Sequence, residues 1–230
     1  MSWDDAFSLR YDEWSAHMTA DIGFYSRLAL EADGPLVELA VGNARVAVPV
    51  AQATGRQVVG VDTSLAMLEQ ARARASKAGV DLDLRHADMR DPRVEEQAAL
   101  IYCPFRALLH LPTWADRRRT FERVAASLLP GGRFAWNAFV FDHHVATRLD
   151  GQHQDRPLPH TVRYSVGDNR IDLVLDEGGT SSLSWATKNE WLGLLDIADL
   201  ELEDLYGGFS REPFEDHSSE YVFVARRPGQ

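Results

Sequence analysis

The chain has 230 residues, 45% of them hydrophobic, enough for a real core in one large domain or in one domain with a cap. Its 24 basic and 35 acidic residues leave a net charge of -11, which disfavours a general nucleic-acid or anionic-membrane surface, since both need clustered cations. A single cysteine, Cys103, excludes an intramolecular disulfide and a cysteine-rich zinc site. No apolar run approaches the roughly 20 residues that span a bilayer, and the acidic start MSWDDAFSLRYDEW lacks a signal-peptide pattern. The expectation is a soluble, cytoplasmic protein.

Residues 1–30 place Trp3, Phe7, Tyr11, Trp14, Phe24 and Tyr25 among polar residues, and Asp21 is positioned to cap a helix running into Leu28 and Leu30. This stretch is expected to form a lid across the ligand edge of a sheet. Residues 36–39 form a short apolar run that suits a buried strand, and 40–43 a turn of small residues. Residues 44–54 have helical length, and 58–61 read as a second strand closed by Asp62. This β-turn-α-β unit, with an acidic residue about 20 positions after the turn, has the layout of a nucleotide site in a doubly wound sheet. Small residues let the backbone approach a ligand, and the amides at the helix start face it. The closing carboxylate can accept from both ribose hydroxyls. Of the three glycines such a fingerprint favours, only Gly42 is present; Ala40 and Ala44 flank it.

Ser64 starts a helix over 65–78, with Leu65, Leu68, Ala71 and Ala75 on one face and Gly79 as the stop. Residues 82–86 read as a third strand, and 92–97 as a connector or short helix. A fourth strand over 98–102 leads into Cys103-Pro104-Phe105-Arg106. A helix over 114–129 buries Phe121, Val124, Ala125 and Leu128. The Arg117-Arg118-Arg119 run reads as its solvated face beside Asp116 and Glu122. Pro130-Gly131-Gly132 is a stop and turn before a fifth strand over 133–141.

The pattern then changes. Residues 142–159 are polar and carry His143, His144 and His153. Residues 162–165 and 170–175 suit antiparallel strands joined at Gly167-Asp168-Asn169, with a third over 182–185. A helix over 187–197 opens on Thr187 and Glu190 in capping-box spacing. A sixth strand over 200–205 leads to Tyr206-Gly207-Gly208-Phe209, and a last strand spans 221–225 before Arg226-Arg227 enter solvent. The division expected is a lid over 1–30, a core over 31–141 and 187–230, and a β-rich cap inserted over 142–186.

Four separated features agree: the ELAVGNAR turn, Asp62 closing strand two, HADMRD after strand three, and LLPGGRFAWNAF before and through strand five. Together they resemble the class I S-adenosylmethionine (SAM) dependent methyltransferases over essentially the whole chain, in the small-molecule branch that includes amino-sugar and glycine N-methyltransferases. The resemblance implies an α/β, Rossmann-like, doubly wound, mostly parallel seven-stranded sheet with an antiparallel last strand, an N-terminal helical lid and a β-rich inserted cap. It implies SAM as cofactor and a small-molecule acceptor as partner. It also assigns roles. Glu38 anchors the turn near the methionine end of SAM, and Ala40 and Gly42 form the turn itself. Asp62, with Thr63 beside it, accepts from the ribose hydroxyls. Met67 packs near adenine, Asp88 reads the adenine amino group, and Met89 supplies an adjacent amide. Cys103 and Pro104 pass behind the reacting methyl, and Tyr11 is a lid tyrosine.

Methyl transfer from a sulfonium is an in-line displacement of an already activated donor, so positioning and desolvation dominate and no fixed triad is expected. His110 and His143 are the candidate bases, since histidine titrates near neutrality. His110 lies in an apolar run, which favours a structural role. No metal site is expected, since the adjacent His143 and His144 rarely point together. Arg106, Trp136, Asn137, Tyr164 and Tyr206 are the candidates for an acceptor pocket. A non-catalytic SAM-binding protein, an NAD-dependent oxidoreductase and an RNA methyltransferase are the competing readings. Oligomeric state is left open, a homodimer included.

Overall fold

Strands buried on both faces read as continuous apolar runs, and β1 (Leu36–Leu39) and β4 (Ala98–Cys103) are such runs, with every residue buried. In the computed structural model, which describes residues 19–94, 97–156 and 158–229, these two strands lie at the centre of a seven-stranded sheet of order β10-β11-β5-β4-β1-β2-β3. β2 (Val58–Asp62), β3 (Leu82–His86) and β5 (Leu128–Phe139) join them in parallel. β11 (Glu220–Arg226) runs antiparallel between β5 and β10 (Glu201–Tyr206). The expected α/β sheet with its antiparallel last strand is therefore present.

Helices cover both faces. On one face α1 (Ala20–Glu31), α2 (Ala47–Thr54) and α3 (Leu65–Ala78) bury Phe24, Tyr25, Val50 and Leu68 against Leu36, Leu100 and Tyr102. On the other, α4 (Trp114–Ser127) and α6 (Lys188–Ile197) close over Phe134, Trp136 and Phe223 with Phe121 and Trp191. Trp136 stacks on Phe223 with ring centroids 4.7 Å apart. The caps follow the sequence. Ser64 Oγ accepts from the Met67 N–H, Gly79 ends α3 in the left-handed region, and Thr187 and Glu190 form a full capping box.

Several expectations need correction. α2 begins at Ala47 rather than 44, because the small-residue turn runs on to Val46; Pro49 thus falls in the first helical turn, where its missing N–H costs nothing. Leu65 is exposed, and Met67 takes its inward place beside Leu68, Ala71 and Ala75. Asp21 caps nothing. It sits inside the first turn of α1 and forms a buried two-pronged pair with Arg45 at 2.7 and 2.6 Å. Pro130-Gly131-Gly132 is a bulge within the β4–β5 ladder, since Ala98 pairs with Leu128 and Leu100 with Arg133. The backbone of Arg227 bonds both Gly131 and Gly132 there, so Arg227 closes the sheet instead of leaving it.

Arg117 is likewise buried, not solvated. It shares a helical face with Phe121 and Val124, places its guanidinium 5.3 Å from the Trp191 ring, and donates to the carbonyls of Ser184 and Trp185. Burial pushes its pKa down from the usual arginine value. This side chain fastens α4 to a second sheet of order β6-β7-β8-β9.

That sheet comprises β6 (His153–Gln154), β7 (His160–Ser165), β8 (Arg170–Leu175) and β9 (Thr180–Ser184), all antiparallel. A helix, α5 (His143–Leu149), precedes it in the stretch read from sequence only as polar. α5 has no apolar period, burying Ala146 alone, and forms because Asp142 caps it, accepting from the N–H groups of His144 and Val145. Val162, Ile171 and Trp185 form a small core of their own, with Phe141 stacked on Trp185 at 4.2 Å. The proposed lid residues 1–18, Tyr11 among them, lie outside the described residues.

Candidate active site

Residues 40, 42 and 44 all adopt left-handed backbone, with φ of 53°, 52° and 61°. Two of the three are alanine, so the turn keeps its shape against a cost of about 1–2 kcal/mol for each Cβ held in that region. Asp62 holds it there: the Gly42 N–H donates to Oδ2 at 2.8 Å, while the Ser64 N–H donates to Oδ1 at 2.8 Å. The Val41 N–H reaches the Val61 carbonyl at 3.0 Å, drawing the turn over β2. Gly60 permits this approach, since a Cβ there would meet Val41 Cγ2 at 2.8 Å.

Beneath the turn, the Glu38 side chain is fully buried against Tyr102. Burial pushes its pKa well above the usual carboxylate range, partly offset by the Tyr102 hydroxyl and Arg45, and its Oε2 has no hydrogen-bond partner. A buried carboxylate oxygen without a partner is expensive, and a cationic ligand group would relieve it. Arg45 leads into α2, and besides pairing with Asp21 it stacks over Phe105 at 4.9 Å. α1, the turn and the segment after β4 are thus tied together at one place.

A cavity of about 300 Å³ opens at the carboxyl ends of β1, β2 and β3, where open α/β sheets bind ligands. Six sequence candidates line it: Ala40, Asp62, Thr63, Asp88, Met89 and His110. Val61, Ala87, Arg90, Leu111 and Pro112 complete the lining and were not singled out. Of these Arg90 carries charge, and its position two residues from Asp88 was the available signal. A second hollow of about 310 Å³ lies between Pro92 and Arg123, at the amino ends of β4 and β5 and away from the turn.

Asp88 does not stand alone. Its Oδ1 accepts from Arg90 N at 2.8 Å and Arg90 Nε at 2.9 Å, and its Oδ2 from the Arg90 guanidinium at 2.6 Å. Those bonds hold its carboxyl below the usual aspartate value. His110 closes a short helical turn, Ala107–His110, and opens to solvent through the cavity while protein surrounds the rest of its ring. That surrounding lowers its pKa, partly offset by a hydrogen bond to the Ser182 backbone in β9.

The other candidates lie elsewhere. Met67, Cys103 and Pro104 are buried and do not line the cavity, nor do Glu38 and Gly42. Burial pushes the Cys103 thiol well up, which makes it inert as a nucleophile. Trp136 is no pocket residue. Strand alternation turns it into the core under α4 and α6, and its neighbour Asn137 to the opposite face. Asn137 Oδ1 accepts from Tyr25 Oη at 3.1 Å, and its Nδ2 donates to Glu220 at 2.6 Å. Glu220 in turn holds Arg106 at 2.5 Å, and the guanidinium lies 5.7 Å from the Phe139 ring. Sequence reasoning named Arg106 and Asn137 but missed Tyr25 and Glu220, which come from the two ends of the described chain. Tyr206 ends β10 beside Phe24, with its phenol pushed up to about 12 by burial and by Asp204. Tyr164 sits in the second sheet near Phe141 and Trp185. His143 is exposed at the start of α5, its ring 3.8 Å from that of His144. Among the described residues no three His, Cys, Asp or Glu side chains gather as a metal site would require, and no helix is long and apolar enough to cross a membrane.

A sheet of this order with an antiparallel penultimate-edge strand, and a left-handed turn pinned by the acid closing β2, define the Rossmann-like methyltransferase fold. Residues 36–132 match the family described as a methyltransferase domain. The chain is 29% identical over 140 residues to 27-O-demethylrifamycin SV methyltransferase of Amycolatopsis mediterranei, an alignment covering 60% of this chain and 49% of that protein. The chain thus spans about half the length of that relative. The CcbJ methyltransferase of Streptomyces caelestis superposes with a TM-score of 0.80 at 22% identity, over 98% of both chains. A SAM-dependent methyltransferase of Clostridium acetobutylicum does so with a TM-score of 0.82 at 15% identity, over 98% of this chain and 99% of that one.

Proposed function

We propose that this protein transfers the methyl group of SAM to a nitrogen, oxygen or carbon nucleophile of a small molecule. The observation that carries the reading is the cavity at the carboxyl ends of β1–β3, which brings Asp62 and Asp88 together beside the left-handed turn. The residues present fit the donor. Asp62 offers carboxylate oxygens for the ribose, and Asp88 with the Met89 backbone suits the adenine edge. The unpartnered Oε2 of Glu38 lies buried under the turn, where an ammonium or sulfonium would stabilise its ionised form. When bound, SAM supplies an activated methyl; the chain's part is to align the acceptor and exclude water.

The acceptor side is assigned to the far end of the same edge, where Arg106, Asn137 and Glu220 meet Tyr25 of α1. Residues 142–186 act as the cap over it, and the helix over Ala20–Glu31 as the base of the lid. His110 lines the cavity with Asp62 and Asp88, which weighs against it as the acceptor's base; His143 is the other candidate. The one hint of a non-catalytic protein was the pair of alanines in the turn, and both take the left-handed shape that the glycine pattern serves.

Incubation with methyl-labelled SAM and a panel of amino sugars, alcohols, phenols and enolisable carbonyl compounds tests the reading. The expected result is label in one acceptor class, matched by S-adenosylhomocysteine (SAH) released. Binding of SAM with no label transferred across the panel supports the non-catalytic alternative.

A further inference from the structure

We propose that Arg90 is the positioning residue of the adenosyl pocket: it sets the Asp88 carboxylate for reading the adenine edge and ties together the two walls that enclose the base. The proposal rests on the SAM reading above and deepens it.

Arg90 is the third residue of a tight turn in which the Asp91 N–H donates to the Asp88 carbonyl at 2.8 Å. Its backbone and side chain then converge on one carboxylate, giving three hydrogen bonds to Asp88 between 2.6 and 2.9 Å. The same guanidinium reaches across the cavity's edge, where its other terminal nitrogen donates to Asp116 Oδ1 at 2.9 Å. Asp116 is itself fixed in the first turn of α4, accepting from Thr113 Oγ1 at 2.6 Å while its own N–H donates to that oxygen. Thr113 follows directly on Leu111 and Pro112, which form the second wall. A single planar fork therefore joins the wall after β3 to the wall after β4.

Stability is a poor explanation for this arrangement. The guanidinium and the Asp88 carboxylate are each more than a third exposed, and exposed pairs contribute little to folding. What a forked, charge-assisted pair does supply is direction. Oδ1 already accepts two of these bonds and Oδ2 only one, so Asp88 keeps a free lone pair on Oδ2, and Arg90 fixes which way it points. The charged groups around Asp88 are Arg90, Asp116 and Arg119, with Asp62 and His110 in the same cavity. Arg90 alone among them touches it in the hydrogen bonds described above.

The test compares SAH with S-inosylhomocysteine, which carries a carbonyl oxygen in place of the adenine amino group, by titration calorimetry. The intact protein is expected to prefer SAH by about tenfold or more, the range for a hydrogen bond to a charged group. Arg90→Ala is expected to cut that preference to within about twofold, with Arg90→Gln as a second variant should alanine compromise folding. Asp116→Asn, which loosens the wall but leaves the Asp88 pair, is expected to weaken both ligands alike and keep the preference. An Arg90 variant that binds both ligands less well but retains the full preference reduces Arg90 to a structural residue and overturns the proposal. Equal binding of the two ligands by intact protein overturns it as well, through Asp88. Binding of neither ligand by intact protein overturns the SAM reading itself, and this inference with it.

Discussion

The backbone N–H of Gly42 donates to Asp62 Oδ2 at 2.8 Å, so the acid that closes β2 also shapes the turn that follows β1. The second oxygen accepts from the Ser64 N–H and starts α3. One side chain thus coordinates a turn, a strand end and a helix start around the cavity. Asp62→Ala should lower SAH affinity about tenfold or more and lower the urea midpoint as well, since two charge-assisted bonds to backbone are lost. Asp62→Asn keeps one acceptor oxygen and should fall between. Unchanged SAH affinity in Asp62→Ala contradicts the ribose role.

Ala40 offers a cleaner probe of backbone strain than Ala44, which is wholly buried and would leave a void. At φ 53°, Ala40→Gly relieves about 1–2 kcal/mol of left-handed cost and forfeits about 0.5–1 kcal/mol of unfolded-state entropy. A net gain of up to about 1.5 kcal/mol should appear as a raised urea midpoint with an unchanged slope. A lowered midpoint means the alanine methyl packs better than the turn geometry indicates.

Glu38 carries a stability cost that a ligand can offset. Unfolded, it releases its proton near the ordinary carboxylate pKa of about 4.3. Folded, burial keeps the proton on to higher pH. The native state therefore binds more protons above that point, and stability falls as pH rises from the ordinary carboxylate range toward the raised folded value. Glu38→Gln should be more stable than the intact protein at pH 7, with the gap closing toward pH 4. It should also bind SAH about tenfold more weakly, since an amide cannot ionise toward a cationic group of the ligand. A variant less stable at pH 7 contradicts the burial account.

Arg117 links α4 to the end of β9 through two backbone carbonyls. Arg117→Ala strands both acceptors and should cost about 2–3 kcal/mol in urea unfolding. Arg117→Lys cannot serve two carbonyls with a planar fork and should recover part of that loss. A midpoint within error of the intact protein in both variants removes this contact from the account.

Where local chemistry decided the structure, the sequence was informative. α3 runs over its expected residues because Ser64 and Gly79 act within the chain, and the capping box of α6 is equally local. β1, β2 and β4 were legible as apolar runs bounded by turns. Asp62 was legible because its partner Gly42 lies at a spacing fixed by the β-α-β unit. What stayed hidden depends on pairing across long separations. Arg117 looks solvated until β9 is laid beside α4. Glu220 and Tyr25 acquire a role through Asn137, 83 and 112 residues away from them. Trp136 and Asn137 are neighbours in sequence and face opposite sides of the sheet, and nothing local says which of them meets α1. α5 went unread because a cap, not an apolar stripe, sustains it.

Titration calorimetry of the intact protein with SAH and, separately, with NAD distinguishes an adenosyl site from a dinucleotide site. The account predicts one SAH bound per chain with a dissociation constant in the micromolar range or below, abolished or greatly weakened by Asp62→Ala, and no measurable binding of NAD. Saturable binding of NAD with none of SAH would contradict it.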